Sequence, residues 1–344
     1  MSTSLDKIPT ANPRRRGSAL IVALWVVLIL SLMIGGFAFD MQIEAEIVSL
    51  ARRRIKARYL AEAGVEWAKA VLVQRGQISE TDAERIADAD DNEFDMTALR
   101  LRRGLSVRGM EVPLGDGKVV VDMVPESSKR NVNMLSQEEW EELLDITNVP
   151  QELWPELIDC FYDWVDEDDL HRLHGAEQDD PYYRENNIRV KNAPVDTIDE
   201  LLLIKNFDEN IVYGGPGMHE DDPPFLGIAQ HLTTWGDGRI NINTASREVL
   251  LTLTDLLDDF WVDAILDMRL GADGEPGTLD DGFRNVSEAI EMIPELERIQ
   301  NRITTADISY VRVTSTGEVH GVRNTISCVI RVEDGNVMPV FWSQ

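Results

Sequence analysis

Cysteine is almost absent. Cys160 and Cys328 are the only two in 344 residues, too few for a disulfide-stapled scaffold or a thiolate zinc cluster. Whether they pair with each other is left open by the sequence. Basic residues are scarce too: 33 Lys and Arg face 62 Asp and Glu, for a net charge of −29. So acidic a chain repels a phosphate backbone, which argues against nucleic acid as a partner. No G-x-S-x-G, P-loop or paired Cys/His signature occurs, so nothing in the chain points to an enzyme. Between Met41 and Arg75 there is no proline and a single glycine, Gly64. What the chain has in quantity is apolar residues, 43%, enough for sizeable cores spread over about two or three domains.

The charge is unevenly placed. Residues 1–17 carry +3, residues 18–39 carry none, and residues 40–75 carry +2, which leaves −34 on residues 76–344. The uncharged run SALIVALWVVLILSLMIGGFAF would span about 33 Å as a helix, enough for a bilayer core of roughly 30 Å. Arg14, Arg15 and Arg16 directly before it favour a cytoplasmic N-terminus and export of the chain beyond the run. A secretory signal peptide fits less well, because the run is long and no A-x-A-like site lies in its distal part. Past the run, Ile43, Ile47, Leu50, Ala57, Ala61, Gly64, Ala68 and Val71 recur at helical spacing, interrupted by Arg54. One helix over 18–75 is expected, with 18–39 in the membrane.

The body reads as α+β. Leu105–Pro113 and Lys118–Pro125 flank a Leu-Gly-Asp-Gly hairpin signal, and Ile308–Thr316 and Val322–Val332 make a second strand pair around a turn at Gly317–Gly321. Alternation in the last strand puts Cys328 on a buried face. The expected organisation is a leader (1–17), the long helix (18–75), the first part of an antiparallel sheet domain (76–130), an inserted acidic helical domain (131–304) and C-terminal strands (305–344). The insert contains an echo: Asn131-Val-Asn-Met-Leu-Ser-Gln-Glu returns as Asn241-Ile-Asn-Thr-Ala-Ser-Arg-Glu. Asparagine and serine there suit turns and helix caps. Asn192-Ala-Pro-Val-Asp-Thr opens a similar helix, with Asp196 or Thr197 as cap. The short helices joined by tight turns are similar to helix-hairpin-helix units. Their acidic flanks argue against DNA.

Acid density singles out residues 156–222, with 19 acids and five bases. Asp163, Asp166 and Asp168 lie within six residues at a helix end, and Glu177 comes after a glycine turn. Clustered carboxylates and loop carbonyls suit calcium, which takes six to eight oxygens in flexible geometry. Asp273, Glu275, Asp280 and Asp281 lie in the glycine-rich loop 271–282, a second candidate without EF-hand spacing. Glu220, Asp221 and Asp222, next to two prolines, read as a solvated loop. His171, His174 and Glu177 give H-x-x-H-x-x-E, but the metalloprotease glutamate is missing and Gly175 breaks the helix, so this is a surface pair rather than a zinc site.

Arg-Arg-Arg-Gly17 before Ser18-Ala-Leu-Ile-Val resembles a type IV prepilin leader. Most pilin-like proteins carry glutamate at the fifth mature position, where this chain has Val22. Asp163-Trp-Val-Asp-Glu-Asp-Asp, Gly175-Ala-Glu177, Tyr182-Tyr183 and Arg239-Ile-Asn-Ile-Asn-Thr-Ala245 are similar to strings of the minor pseudopilin K family of type II secretion. The acidic loops 214–224 and 271–282 depart from that pattern. The resemblance implies a pilin-like fold, with the long helix packed on a small sheet and a helical domain inserted in it. It also implies cleavage by prepilin peptidase between Gly17 and Ser18, with methylation of the new terminus, and bound calcium. The expected role is non-enzymatic: a single-pass bacterial inner-membrane protein, with its head in the periplasm, that caps the pseudopilus tip beside pseudopilins I and J. A membrane-anchored calcium-binding adhesin or a minor pilin of a type IV pilus is the alternative.

Overall fold

The structure is a computed structural model, and it describes residues 15–79, 86, 93–219, 221–254, 256–276, 278, 280–333 and 335–343. Most of the leader, residues 1–14, lies outside the described residues, as does Glu220. Helix α1 (Arg15–Gln77) runs 63 residues without a break, starting three residues before the apolar run. It is the one helix among the described residues long and apolar enough to cross a membrane. Its apolar stripe divides in two. Ala57, Ala61, Val65, Ala68 and Val71 are wholly buried, whereas Ile43, Ile47 and Leu50 are exposed.

What buries the second half is a sheet. Helix α2 (Glu93–Arg102) packs beside α1, and Trp67 meets Phe94 edge-on with ring centroids 6.0 Å apart. Strands β1 (Val107–Leu114) and β2 (Gly117–Pro125) form the expected hairpin about Gly115–Asp116. The chain leaves the sheet at Pro125 and rejoins it through β7 (Tyr310–Val319), β8 (Val322–Glu333) and β9 (Asn336–Ser343). The order is β1-β2-β7-β8-β9, antiparallel throughout. The turn between β7 and β8 is His320–Gly321, both at positive φ, as a two-residue hairpin turn of right-handed strands requires. Strand β9 was not expected from the sequence. Pro339 sits within it, which an edge strand tolerates because one side of its ladder is open.

Gly317, expected to belong to the β7–β8 turn, is instead inside β7. A Cβ there would fall 2.1 Å from the carbonyl oxygen of Ala57 and 2.8 Å from Cβ of Leu60. Gly64 answers it from the helix, where a Cβ would lie 2.2 Å from Ser315 Oγ and 2.4 Å from Val119. The two glycines let the helix lie directly on the central strand.

Between β2 and β7 the chain builds two lobes. The first holds β3 (Arg130–Asn131), α3 (Gln137–Ile146), α4 (Trp154–Val165), α5 (Pro181–Glu185), α6 (Glu209–Tyr213) and β4 (Leu232–Thr233). Its core gathers Trp140, Phe161, Trp164 and Tyr183. The second holds β5 (Ile240–Asn241), α7 (Arg247–Leu251), α8 (Asp259–Met268), α9 (Val286–Met292) and β6 (Ile303–Thr304), around Ile240, Ile242, Val249 and Ile265. The echo in the sequence marks the start of each lobe. Each first asparagine is paired in a short parallel bridge, β3 with β4 and β5 with β6. Asn131 and Asn241 each accept from the N–H two residues on. Each second asparagine clamps a distant loop: Asn133 accepts from Val195 N–H and donates to its carbonyl, and Asn243 does the same with Phe283. Ser136 and Ser246 cap α3 and α7, and Ser136 completes a capping box with Glu139. The segment after Asn192 is a 3-10 helix, Ile198–Leu203, and Thr197 makes no side-chain cap. Cys160 lies in the first lobe's core and Cys328 in the sheet's, both unpaired. Burial raises their thiols to about 12 and about 11.

The helix–sheet contact gives a first prediction. Gly317→Ala and Gly64→Ala should each destabilise the protein by about 1–3 kcal/mol through overpacking. Gly76→Ala, where a Cβ meets nothing within 4 Å, should be neutral or slightly stabilising. Urea denaturation of the three variants checks this.

Candidate acidic metal site

The acidic cluster is built where α4 stops. Burial on this amphipathic helix places Leu157, Ile158, Phe161 and Trp164 inward, and Asp163, one residue before Trp164, is also fully buried. Asp166 ends the helix in an extended conformation, and the chain turns back toward its last turn. Leu170 N–H donates to Asp168 Oδ1 at 2.8 Å. Arg172 N–H lies 3.2 Å from both oxygens of Asp163, and the Arg172 guanidinium stacks over the Tyr162 ring at 4.4 Å. Gly175 is required by the same wrap, since a Cβ there would sit 2.0 Å from Asp163 Oδ2.

This fold-back delivers Glu177. Asp166, Asp168 and Glu177 each bring a carboxylate oxygen within 4.8 Å of the others. Glu177 is 1% exposed, and neither of its carboxylate oxygens has a hydrogen-bond partner. Oδ1 of Asp166 is orphaned as well. Buried acceptors are nearly always satisfied, because an unpaired carboxylate out of water is costly. Burial, then Asp163, Asp166 and Asp169, push the Glu177 carboxyl up to about 7. Burial likewise raises Asp163, and burial and Asp168 raise Asp166. The site is thus a set of mutually repelling oxygens with no imidazole or thiol in it, the donor chemistry of a hard divalent cation rather than zinc.

The expected residues occupy unequal places. Asp166, Asp168 and Glu177 converge, while Asp163 lies behind them with its oxygens on the Arg172 amide. His171 pairs with Asp179 at 2.6 Å, and both are exposed. In the loop 271–282, Asp280 Oδ2 accepts from Ala272 N–H at 2.7 Å and Asp280 Oδ1 from Thr278. Asp273 Oδ1 accepts from Glu275 N–H. Those carboxylates organise the turn. Among the described residues, Asp273, Glu275, Asp280 and Asp281 do not come together as the first set does. The glycine turn expected before Glu177 is Gly175, and the contributor that sequence reasoning passed over is Asp169, whose charge helps to raise Glu177. Nothing in the spacing distinguished Asp169 from its neighbours.

Residues 118–213 match the family model described as "Type II secretion system (T2SS), protein K". That segment runs from β2 through the acidic site to α6. No curated protein matches the chain. A solved structure does: "The Crystal Structure of the GspK-GspI-GspJ complex from enterotoxigenic Escherichia coli Type 2 Secretion System" includes a chain 16% identical to this one. The match covers 76% of this chain and 93% of that one, with a TM-score of 0.50, a likeness of fold. By sequence over residues 118–213 the chain is similar to protein K of the type II secretion system, the family that its Asp163-Trp-Val-Asp string resembles, and over most of its length its fold is similar to that of a chain in the GspK-GspI-GspJ complex.

Proposed function

We propose that this chain is a minor pseudopilin of a type II secretion machine, seated at the pseudopilus tip and helping to start its assembly. The match of residues 118–213 to the protein K family carries this reading, because it spans the junction of sheet and insert. Prepilin peptidase cuts between Gly17 and Ser18, and the retained apolar run anchors the protein in the bacterial inner membrane with its head in the periplasm. I- and J-like pseudopilins are its partners, as in the complex named for the structural neighbour. Val22 supplies no carboxylate to a neighbour's terminal amine. The two lobes widen the head beyond what a repeating shaft accommodates. Both features support a terminal position, and the match to protein K supports a role in assembly rather than catalysis.

Calcium is the cation that fits Asp166, Asp168 and Glu177, with loop carbonyls and water completing six to eight oxygens. Asp163 steadies the loop behind them. The orphaned, buried Glu177 is the support for this reading, and a cation is the partner it lacks.

Mass spectrometry of the membrane-extracted protein should show a mature chain starting at Ser18. A start near Phe39 would make the apolar run a signal peptide. Mixed with I- and J-like pseudopilins, the processed protein should form a one-to-one-to-one complex, and overproduced alone it should form no fibres by electron microscopy. Homopolymeric fibres would exclude the tip position.

Calcium at a hundredfold excess over Kd should stabilise the fold by about 2.7 kcal/mol. Asp166→Ala and Asp168→Ala should remove most of this. Without metal, Glu177 titrates near 7 in the folded state and near 4.5 unfolded, so the folded state binds the proton more tightly. Its contribution is intact below pH 4.5 and is lost as pH rises through about 7, by up to about 3 kcal/mol. In EDTA at pH 8, Glu177→Gln should therefore be more stable than the parent, and in calcium less stable. Melting curves in the two buffers decide it. Coincident curves for all variants would mean that the cluster binds no calcium.

A further inference from the structure

The two faces of α3 use their acids differently. Glu139 is consumed internally, paired with both Arg130 and Arg302. Glu138, Glu141 and Asp145, at i, i+3 and i+7, face a groove of about 1160 Å³ that α3 shares with the segment before α4 and with loop 217–225. Glu152 and Asp222 add carboxylates from elsewhere on the wall, and among the described residues His219 is the one basic side chain on the lining, with no lysine or arginine. Among the described residues, Glu138, Asp145, Glu152 and Asp222 form no ion pair. The floor is apolar. Phe225 is buried beneath it, and the partly buried Trp154 is fixed by its indole N–H donating to the Val149 carbonyl at 2.8 Å. Met218 stands on the lining, 55% exposed.

These features select the ligand class. The acids are strung along a helix face rather than gathered about a point, and the one described group close enough to share an ion is the set at Asp166. A single metal ion therefore does not match the groove. The groove is open along its length rather than the enclosed cavity that buries most of a small molecule. Concave walls of one charge over a low-dielectric floor concentrate the field and draw cations in. We propose that this groove docks a cationic polypeptide segment, with lysines or arginines spaced along the carboxylates and an apolar side chain between them on Trp154 and Phe225. The charge pairs set register and orientation, and the aromatic floor provides the anchor. The proposal stands apart from the calcium site and from the position in a pseudopilus.

The test is fluorescence anisotropy on the full chain in detergent with saturating calcium, which occupies the Asp166 set, at about 50 mM salt. The probe is a labelled decapeptide of alternating lysine and glycine with one central phenylalanine. A second decapeptide replaces that phenylalanine by glycine. Glu138→Gln combined with Asp145→Asn should weaken binding of the first probe about tenfold or more. Glu185→Gln combined with Glu291→Gln removes the same charge from exposed sites elsewhere and should change it less than about twofold. The probe without phenylalanine should bind at least about threefold more weakly. Unchanged melting temperatures of both double variants ensure that binding alone is compared. Equal weakening by the two double variants, indifference to the phenylalanine, or no binding of either probe would overturn the proposal.

Discussion

The contact of α1 with β7 through Gly64 and Gly317 is the constraint on which the rest hangs. Strand β7 is the middle of five, so a helix seated on it fixes the whole sheet. Valines and isoleucines on the inner face, Val119, Val121, Val313 and Ile326 among them, can then close on small helix residues without a gap. The same contact sets where cover begins. From Ala57 onward the apolar stripe is buried, and below it Ile43, Ile47 and Leu50 stand bare beside the membrane-length run. One helix therefore has a bare apolar half and a covered half, and cover starts where Gly317 meets Ala57.

The insert is tolerated because its ends are held together. Pro125 and Val311 are register partners in adjacent antiparallel strands, although about 185 residues separate them. Closing so long a loop costs little more than closing a short one. Each lobe also closes itself. Asn133 and Asn243 saturate both the N–H and the carbonyl of a loop residue, so the loop returns to the lobe's first turn. Such clamps hold short helices and 3-10 turns in place where helix length alone would not.

Much of this was legible. Periodicity gave the long helix, alternation gave four of the five strands of the sheet, and the repeated asparagine-serine string lies where each lobe starts, although one inserted domain over 131–304 was expected. Three features were not legible, each for a physical reason. Pro339 disguised β9, because its fitness for an edge depends on neighbours that no local pattern reveals. Gly317 read as a turn residue, since glycine at a close approach looks the same in sequence as glycine at a turn. At the acidic site, spacing drew attention to Asp163, Asp166 and Asp168 alike. Only the fold-back at Gly175 distinguishes Asp163, which holds the loop, from Glu177, which is delivered into the cluster. In the loop 271–282 the Asp280 oxygens accept from Ala272 N–H and Thr278 Oγ1, and among the described residues its acids do not converge as the first set does.

Buried charge is handled in two opposite ways. Where the lobes meet the sheet, Glu126, 1% exposed, takes a hydrogen bond from Thr233 and lies 2.6 Å from Arg312 Nε. Arg130, lowered to about 10 by burial, pairs with Glu139 and donates to the Thr252 carbonyl, and Arg302 approaches the same glutamate from the other lobe. Removing one partner from such a set strands the other out of water, so the junction resists sliding. The cluster at Asp166 follows the opposite pattern. Of the bases beside it, Arg172 is turned toward Asp163 and Tyr162 and His171 is paired with Asp179, which leaves Glu177 buried and unanswered. The difference lies in what is within reach: an arginine faces each of Glu126 and Glu139 at the junction, whereas only other carboxylates converge on Glu177, an oxygen set whose chemistry matches a hard divalent cation.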